Sequence, residues 1–284
     1  MGAAGGNRDE YGIVYSRLKG TTRIVVKLLG EGYVFNSGTI VYPPFNFFRI
    51  LTFMLVNGQD RPVSRRNLGN LIWSDSPSEQ VNADFRQTLA RINRFQKEHD
   101  FKLLAADATA IWLNRGQDVY IDLMEFYRLM ANPGPKSWLR LCEVYRGDLL
   151  GIHRSAGEEF EEWLEHERQL ARSGFVSAMS QALMPGSGLT NPERQVVASR
   201  LLREDPYNEG AYRALMYVAA GSGDQSLIRR LFDACTAILH KELGVTPTAE
   251  TVNYYKLLMA RDYEASPITL ESEQQVARNM LTDR

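Results

Sequence analysis

Ser76-Pro-Ser-Glu-Gln-Val-Asn-Ala-Asp-Phe-Arg-Gln-Thr-Leu-Ala-Arg-Ile-Asn-Arg-Phe-Gln-Lys-Glu98 is the stretch on which the reading of this chain turns. It opens with a capping signature: Ser76 as the acceptor for an orphan amide, Pro77 in the first turn, and Glu79 to complete a capping box. Val81, Phe85, Leu89 and Ile92 recur at helical spacing on one face. The opposite face carries Gln80, Ala83, Gln87, Arg91 and Arg94, with Arg86 on its flank. Arginine and glutamine are the side chains that grip guanine and adenine edges through paired hydrogen bonds. A helix over 76–98 spans roughly 33 Å, enough to pack one side on a core and lay the other in a groove. The competing reading is a solvated face on an ordinary core helix.

The segments around it weigh against the plainer reading. Upstream, β-type runs at Arg23–Leu29, Tyr33–Asn36 and Thr39–Tyr42, punctuated by Gly30, Gly32 and Gly38, predict a small antiparallel sheet. Pro43-Pro44 ends it, and Phe47 to Val56 is apolar enough for a buried helix that stops at Asn57-Gly58. Pro62-Val63 reads as an extended link, after which Ser64 caps a helix running to Trp73. Arg65 and Arg66 sit in its first turn, where the helix dipole disfavours cations; a phosphate partner accounts for them, as does an ordinary surface position. Downstream, Phe101–Leu104 and Thr109–Leu113 predict a hairpin. Sheet, helix, helix, donor-bearing helix and terminal hairpin make the order of a helix-turn-helix with a wing.

Charge is distributed in the same sense. The net charge is −1, yet residues 23–115 hold twelve Lys/Arg against eight acids, leaving −5 for the remainder. A basic front and an acidic back suit a polyanion-binding domain joined to something else. Cys142 and Cys235 match no metal spacing and read as buried thiols. Neither a secretory pattern nor a run of transmembrane length occurs in the 284 residues, so a cytoplasmic location is expected, with no membrane partner.

The segments Arg61-Pro-Val-Ser-Arg-Arg-Asn-Leu-Gly-Asn-Leu-Ile-Trp73 and Asn82-Ala-Asp-Phe-Arg-Gln-Thr-Leu-Ala-Arg-Ile-Asn-Arg94 resemble the DNA-binding half of the SARP family, bacterial transcription activators with an OmpR-type winged helix. The family pattern N-L-R-Q-A-L-x-R-L-R-R is kept at Arg86, Gln87, Leu89, Arg91 and Arg94 and departs at Phe85 and Asn93. The resemblance implies DNA-contacting roles for Arg65, Arg66, Asn82, Arg86, Gln87, Arg91, Arg94, Lys97 and Arg115.

Beyond the hairpin, residues 118–131 start a helical series broken at Asn132-Pro-Gly-Pro135, followed by an apolar series from Trp138 to Tyr145. A long amphipathic helix carries Phe160, Trp163, Leu164, Leu170, Phe175, Met179 and Leu183. Met184-Pro-Gly-Ser-Gly188 is a flexible break expected to leave its hairpin loose. Helices are predicted over about 192–204, 208–221, 224–243 and 248–261. Tyr212, Leu215, Met216, Gly223, Asp224 and Phe232 fall at tetratricopeptide-like spacings, with Ile228 and Cys235 where smaller residues are usual. Glu162-Trp-Leu, Leu202 to Glu209, Tyr212 to Met216 and above all Glu242-Leu-Gly-Val-Thr-Pro-Thr-Ala-Glu-Thr251 resemble the bacterial transcriptional activator domain over most of 118–260.

No catalytic constellation is found. The run Glu158, Glu159, Glu161, Glu162, Glu165 reads as a solvated helix face, and the four histidines are scattered. The expectation is therefore a mainly α, non-enzymatic protein without cofactor or metal. Its domains are a mobile tail over 1–22, a winged helix over 23–116, a tetratricopeptide-like activator domain over 117–262 and a tail or short helix over 263–284. Family resemblance implies a homodimer on direct-repeat promoter DNA that recruits RNA polymerase holoenzyme. The alternative is a repeat scaffold or ligand sensor whose winged helix makes protein contacts.

Overall fold

A computed structural model describes residues 24–58, 61–114, 118–151 and 156–260; the expected tails lie outside them. It divides into two compact units. The first comprises residues up to Glu125 together with Gly147–Arg168. It thus takes in a segment that the sequence reading gives to the second domain.

Two sheets frame the first unit. Strands β1 (Ile24–Lys27), β2 (Tyr33–Asn36) and β3 (Thr39–Val41) form the expected antiparallel meander, with Ile24 opposite Asn36 and Val34 opposite Val41. A second set joins β4 (Val63–Ser64), β5 (Leu104–Ala106) and β6 (Ala110–Leu113) in the order β4-β6-β5. The Pro62-Val63 link is thus a strand, paired with the wing through Val63 and Ile111. The start of the 118–131 series is also a strand, not a helix: β7 (Val119–Ile121) lies parallel to β1, Ile24 against Val119. Two β-branched residues flanking a tyrosine suit the open edge of β1, and all four β1 residues are buried.

Helices α1 (Phe45–Phe53), extended by a π-helical turn over Met54–Gly58, α2 (Arg65–Ile72) and α3 (Ser78–Glu98) follow the predicted order. Ser64 caps α2 by accepting from Asn67 N at 3.4 Å. The capping box at Ser76 and Glu79 does not form. Pro77 holds the cap position without a side-chain bond, and the Ser76 amide instead closes a turn onto Trp73 O at 3.0 Å. A Cβ on Gly69 of α2 would lie 3.1 Å from Val81 Cγ1, so the two helices cross closely there.

Asp122 opens α4 (Asp122–Met130). Fully buried, it accepts from Leu28 N (2.8 Å) and Leu29 N (3.2 Å), with Lys27 Nζ at 3.9 Å. The chain beyond β1 is completed by residues 148–151: Gly30 N donates to Asp148 O, Leu150 N to Leu28 O, and Gly151 N to Gly30 O, at 2.8–2.9 Å. Arg168 donates to the carbonyls of Leu149 (2.8 Å) and Leu150 (2.7 Å).

The N-terminus of α6 (Glu158–Ala182) is held by the turn after α2. Gly157 N donates to Ile72 O (2.9 Å), Glu158 N to Asp75 Oδ1 (3.1 Å) and Glu159 N to Ser74 Oγ (3.3 Å). These orphan amides of a helix start are satisfied by residues more than 80 positions away, a capping arrangement that local patterns do not reveal. Phe53 packs against Trp163 at 5.1 Å between centroids.

The second unit comprises Phe126–Arg146 and the chain from Gln169. It contains α5 (Pro135–Val144), the remainder of α6, α7 (Asn191–Glu204), α8 (Glu209–Gly221), α9 (Gln225–Leu243) and α10 (Ala249–Ala260). The boundaries follow the sequence expectation to within a residue or two. Tyr145 stacks on Phe175 at 4.5 Å, and Arg200 covers Phe175 while donating to Tyr145 O at 2.6 Å. The break before α7 is firmly tied. Thr190 and Glu193 form a capping box, and Arg194 Nη1 reaches Leu183 O at 3.1 Å.

Ile228 and Cys235 are fully buried. Alanines 211, 214, 219 and 220 line the buried side of α8, so bulk on α9 is offset by small side chains opposite. The Glu242–Thr251 segment owes its character to hydrogen bonding. Gly244 ends α9 in the left-handed conformation (φ 68°), Thr248 donates through N and Oγ1 to Glu209, and Arg213 donates to buried Thr251 at 2.7 Å.

Candidate nucleic-acid interface

Helix α3 separates its residues cleanly. Val81, Phe85, Thr88, Leu89, Ile92 and Gln96 are buried. Asn82, Arg86, Gln87, Arg91, Arg94 and Lys97 are all exposed, as are the small Ala83 and Ala90 between them. At 100° per residue the exposed six occupy roughly half of the helix circumference. With 21 residues the helix is about 31 Å long. Glu79 in its first turn and Lys97 in its last complement the helix dipole.

Packing below this face is aromatic. Phe85 meets Trp73 edge-on at 5.6 Å, and Phe101 packs edge-on against Phe47 and Phe95. Arg86 Nε donates to the backbone carbonyl of Asn82 one turn back at 3.3 Å, which lays the Arg86 side chain toward the N-terminal end of the exposed face.

Buried Gln96, silent in the sequence reading, ties the wing to α3. Its Oε1 accepts from Leu103 N and Leu104 N at 2.8 Å each, and its Nε2 donates to Leu104 O at 2.9 Å. These bonds hold 103–104 where the sequence predicts an earlier strand start. The available signal was a glutamine on the apolar side of an amphipathic helix, a position that demands partners.

Arg66 is exposed, whereas Arg65 is half-buried and engaged. Its Nη1 donates to Asp107 O at 2.6 Å, and its guanidinium lies over the Phe85 ring, 5.6 Å from the centroid. Its backbone amide donates to Thr109 O at 2.9 Å. Asp107 organises the wing turn. Bonds from the amides of Thr109 (2.7 Å) and Ala110 (2.8 Å) and from the Thr109 hydroxyl (3.0 Å), helped by Arg65, hold its carboxyl below the ordinary range. Arg115 lies outside the described residues.

Burial pushes the thiols of Cys142 and Cys235 up to about 11, which keeps both protonated at neutral pH. Cys142 is half-buried against Met179, 3.4 Å between sulfurs. Glu158, Glu159, Glu162 and Glu165 are exposed, while Glu161 accepts from Ala156 N. Among the described residues no group of three His, Cys, Asp or Glu is placed to hold a metal ion, and no helix is long and apolar enough to cross a membrane.

Elements and their order make a winged helix-turn-helix fold in the first unit and a helical-repeat fold in the second. Residues 142–258 match the family model described as the bacterial transcriptional activator domain. The solved structure of Mycobacterium tuberculosis EmbR in complex with a low-affinity phosphopeptide is similar in fold: TM-score 0.57, 17% identity, 92% of this chain and 71% of that one covered. No curated protein matches the chain. The family match covers residues 142–258, and the likeness to EmbR is one of fold.

Proposed function

We propose that the chain binds promoter DNA sequence-specifically by laying the exposed face of α3 in the major groove. Binding is as a dimer on direct repeats, and the complex recruits RNA polymerase holoenzyme. The observation that carries the DNA reading is the exposure of Asn82, Arg86, Gln87, Arg91, Arg94 and Lys97 on one side of a helix whose other side is core. Arg86, Gln87, Arg91 and Arg94 have the donors for base edges. Arg66 and Lys97, and Arg115 by sequence, have the charge for phosphates. Dimerisation and polymerase recruitment rest on the activator-domain match and the family resemblance.

The test is a gel shift on promoter fragments from the protein's own genome across a salt series. Each neutralised phosphate contributes about −0.9 to the log–log slope, so a dimer making roughly six to ten contacts loses affinity steeply. Binding that ignores both sequence and salt would refute the proposal and favour the scaffold alternative. Sedimentation of the protein–DNA complex gives the stoichiometry, and in vitro transcription with purified holoenzyme tests recruitment.

A further inference from the structure

We infer that Arg65 is a positioning residue, a latch that sets the wing tip against the recognition helix, and that its guanidinium is spent inside the protein and not on DNA. The inference rests on the DNA-binding reading above. Three separate contacts converge on this one residue. Its amide donates to Thr109 O (2.9 Å), its Nη1 donates to Asp107 O (2.6 Å), and its guanidinium carbon lies over the Phe85 ring of α3, 5.6 Å from the centroid. The first two grip both sides of the wing turn, and the third grips the helix. β4 immediately before Arg65 pairs with β6 through Ser64 and Ala110, so the latch prolongs a ladder already in register.

The wing tip itself supports this assignment. Asp107-Ala108-Thr109 carries no cation, and the carboxylate of Asp107 is kept ionised by its own turn. A tip of that charge does not grip phosphate, so its use to a groove-binding protein lies in where it stands. Buried Gln96 fixes the base of the hairpin to α3, and Arg65 fixes the tip. Two fixed points define the hairpin's angle to α3, and that angle sets the spacing between groove and backbone contacts. The guanidinium suits this double task because it is planar, stacks on an aromatic ring and donates at the same time. An ammonium at the same place keeps the charge and loses the stacking geometry.

The experiment compares Arg65→Lys and Arg65→Ala with the unaltered full-length protein in two measurements. The first is amide hydrogen exchange over 104–113 in the free protein. The second is binding to a specific promoter fragment across salt. A latch predicts faster exchange in the wing for both variants. It also predicts specific binding weakened roughly tenfold, the size of one lost charge-assisted hydrogen bond, with an unchanged salt slope. Lysine then fails to rescue. A phosphate contact predicts the reverse: wing exchange unchanged, binding largely kept by lysine, and a slope shallower by about 1.8 for the dimer of the alanine variant. Unchanged wing exchange in Arg65→Ala, or rescue by lysine, overturns the inference while leaving the DNA reading intact. Failure of the unaltered protein to bind any duplex overturns the DNA reading, and the role of Arg65 falls with it. Phe85→Leu, which removes the ring and keeps an apolar side chain, is expected to mimic Arg65→Lys in both measurements.

Discussion

Gly157→Ala is the substitution on which the capping of α6 stands or falls. A Cβ at this position would lie 2.6 Å from Ser74 N and 3.1 Å from Ile72 O, and it would also strike Ser74 Oγ. A serine hydroxyl can swing away, but two backbone atoms cannot, so the helix start must retreat from the turn after α2. Overpacking of this kind costs about 1–3 kcal/mol. Retreat also stretches Gly157 N to Ile72 O, Glu158 N to Asp75 and Glu159 N to Ser74; a lost helix cap costs roughly 0.5–2 kcal/mol. Reduced freedom of the unfolded chain gives back about 0.4–1 kcal/mol. The net expectation is destabilisation by about 3 kcal/mol. Gly174→Ala in the same helix is the control. Its Cβ would meet only the flexible Met130 Cε at 3.4 Å, so it should be neutral or stabilising by up to about 1 kcal/mol. Denaturant unfolding followed by tryptophan fluorescence measures both. Equal midpoints for Gly157→Ala and the unaltered protein would refute the capping argument. A Ser74→Ala/Gly157→Ala double variant should recover only the part owed to the hydroxyl.

Four further outcomes are expected. Arg91→Ala or Arg94→Ala should cost about 1–3 kcal/mol of specific binding for whichever residue reads a base, measured by gel shift; unchanged binding in both means that a different face meets DNA. Lys97→Ala should weaken specific and random duplexes alike and make the salt slope of the bound dimer shallower by about 1.8, one phosphate per protomer. Gln96→Leu should destabilise the first unit by about 2–4 kcal/mol, because buried amides of Leu103 and Leu104 and the Leu104 carbonyl lose their partner, as thermal or denaturant unfolding will report. Burial pushes the Asp122 carboxyl up to about 6, against the pull of Lys27 and the amides of Leu28, Leu29 and Leu123. Its folded proton affinity exceeds the unfolded one, so its contribution is full below pH 3.8 and is lost as pH rises through about 6, about 3 kcal/mol in all. The stability difference between the unaltered protein and Asp122→Asn should therefore shrink with rising pH over that window, and a flat difference would refute the assignment.

The helices and the exposed face of α3 were legible because both are local. Val81, Phe85, Leu89 and Ile92 announce the buried side by spacing, and what remains on the opposite side is polar by elimination. What was hidden depends on partners distant in sequence. Val119-Tyr120-Ile121 has too few residues for a period to declare itself, and only the open edge of β1, some 95 positions earlier, makes it a strand. Asp122 looked like one more helical residue, although it closes the same sheet. Gln96 shows in the sequence as a polar residue on an apolar face, but its partners Leu103 and Leu104, though only seven and eight positions on, show only once the chain turns back into the wing. The Ser76 capping box failed because a turn back to Trp73 competes for the same backbone. Arg65 stands awkwardly for the helix dipole by sequence, while its contacts with Asp107 O and the Phe85 ring show only in the fold.

The dependence of β1 on chain far downstream has a consequence during synthesis. Ile24–Lys27 leaves the ribosome about 100 to 120 residues ahead of its parallel neighbour at 119–121 and the segment at 148–151. At 5–20 residues per second the wait for residue 150 is roughly 6 to 25 s. Throughout it, a hydrophobic strand presents unpaired backbone to sibling chains on the same messenger. Translation speed between codons 24 and 150 thus sets how long each nascent copy stays open to mispairing.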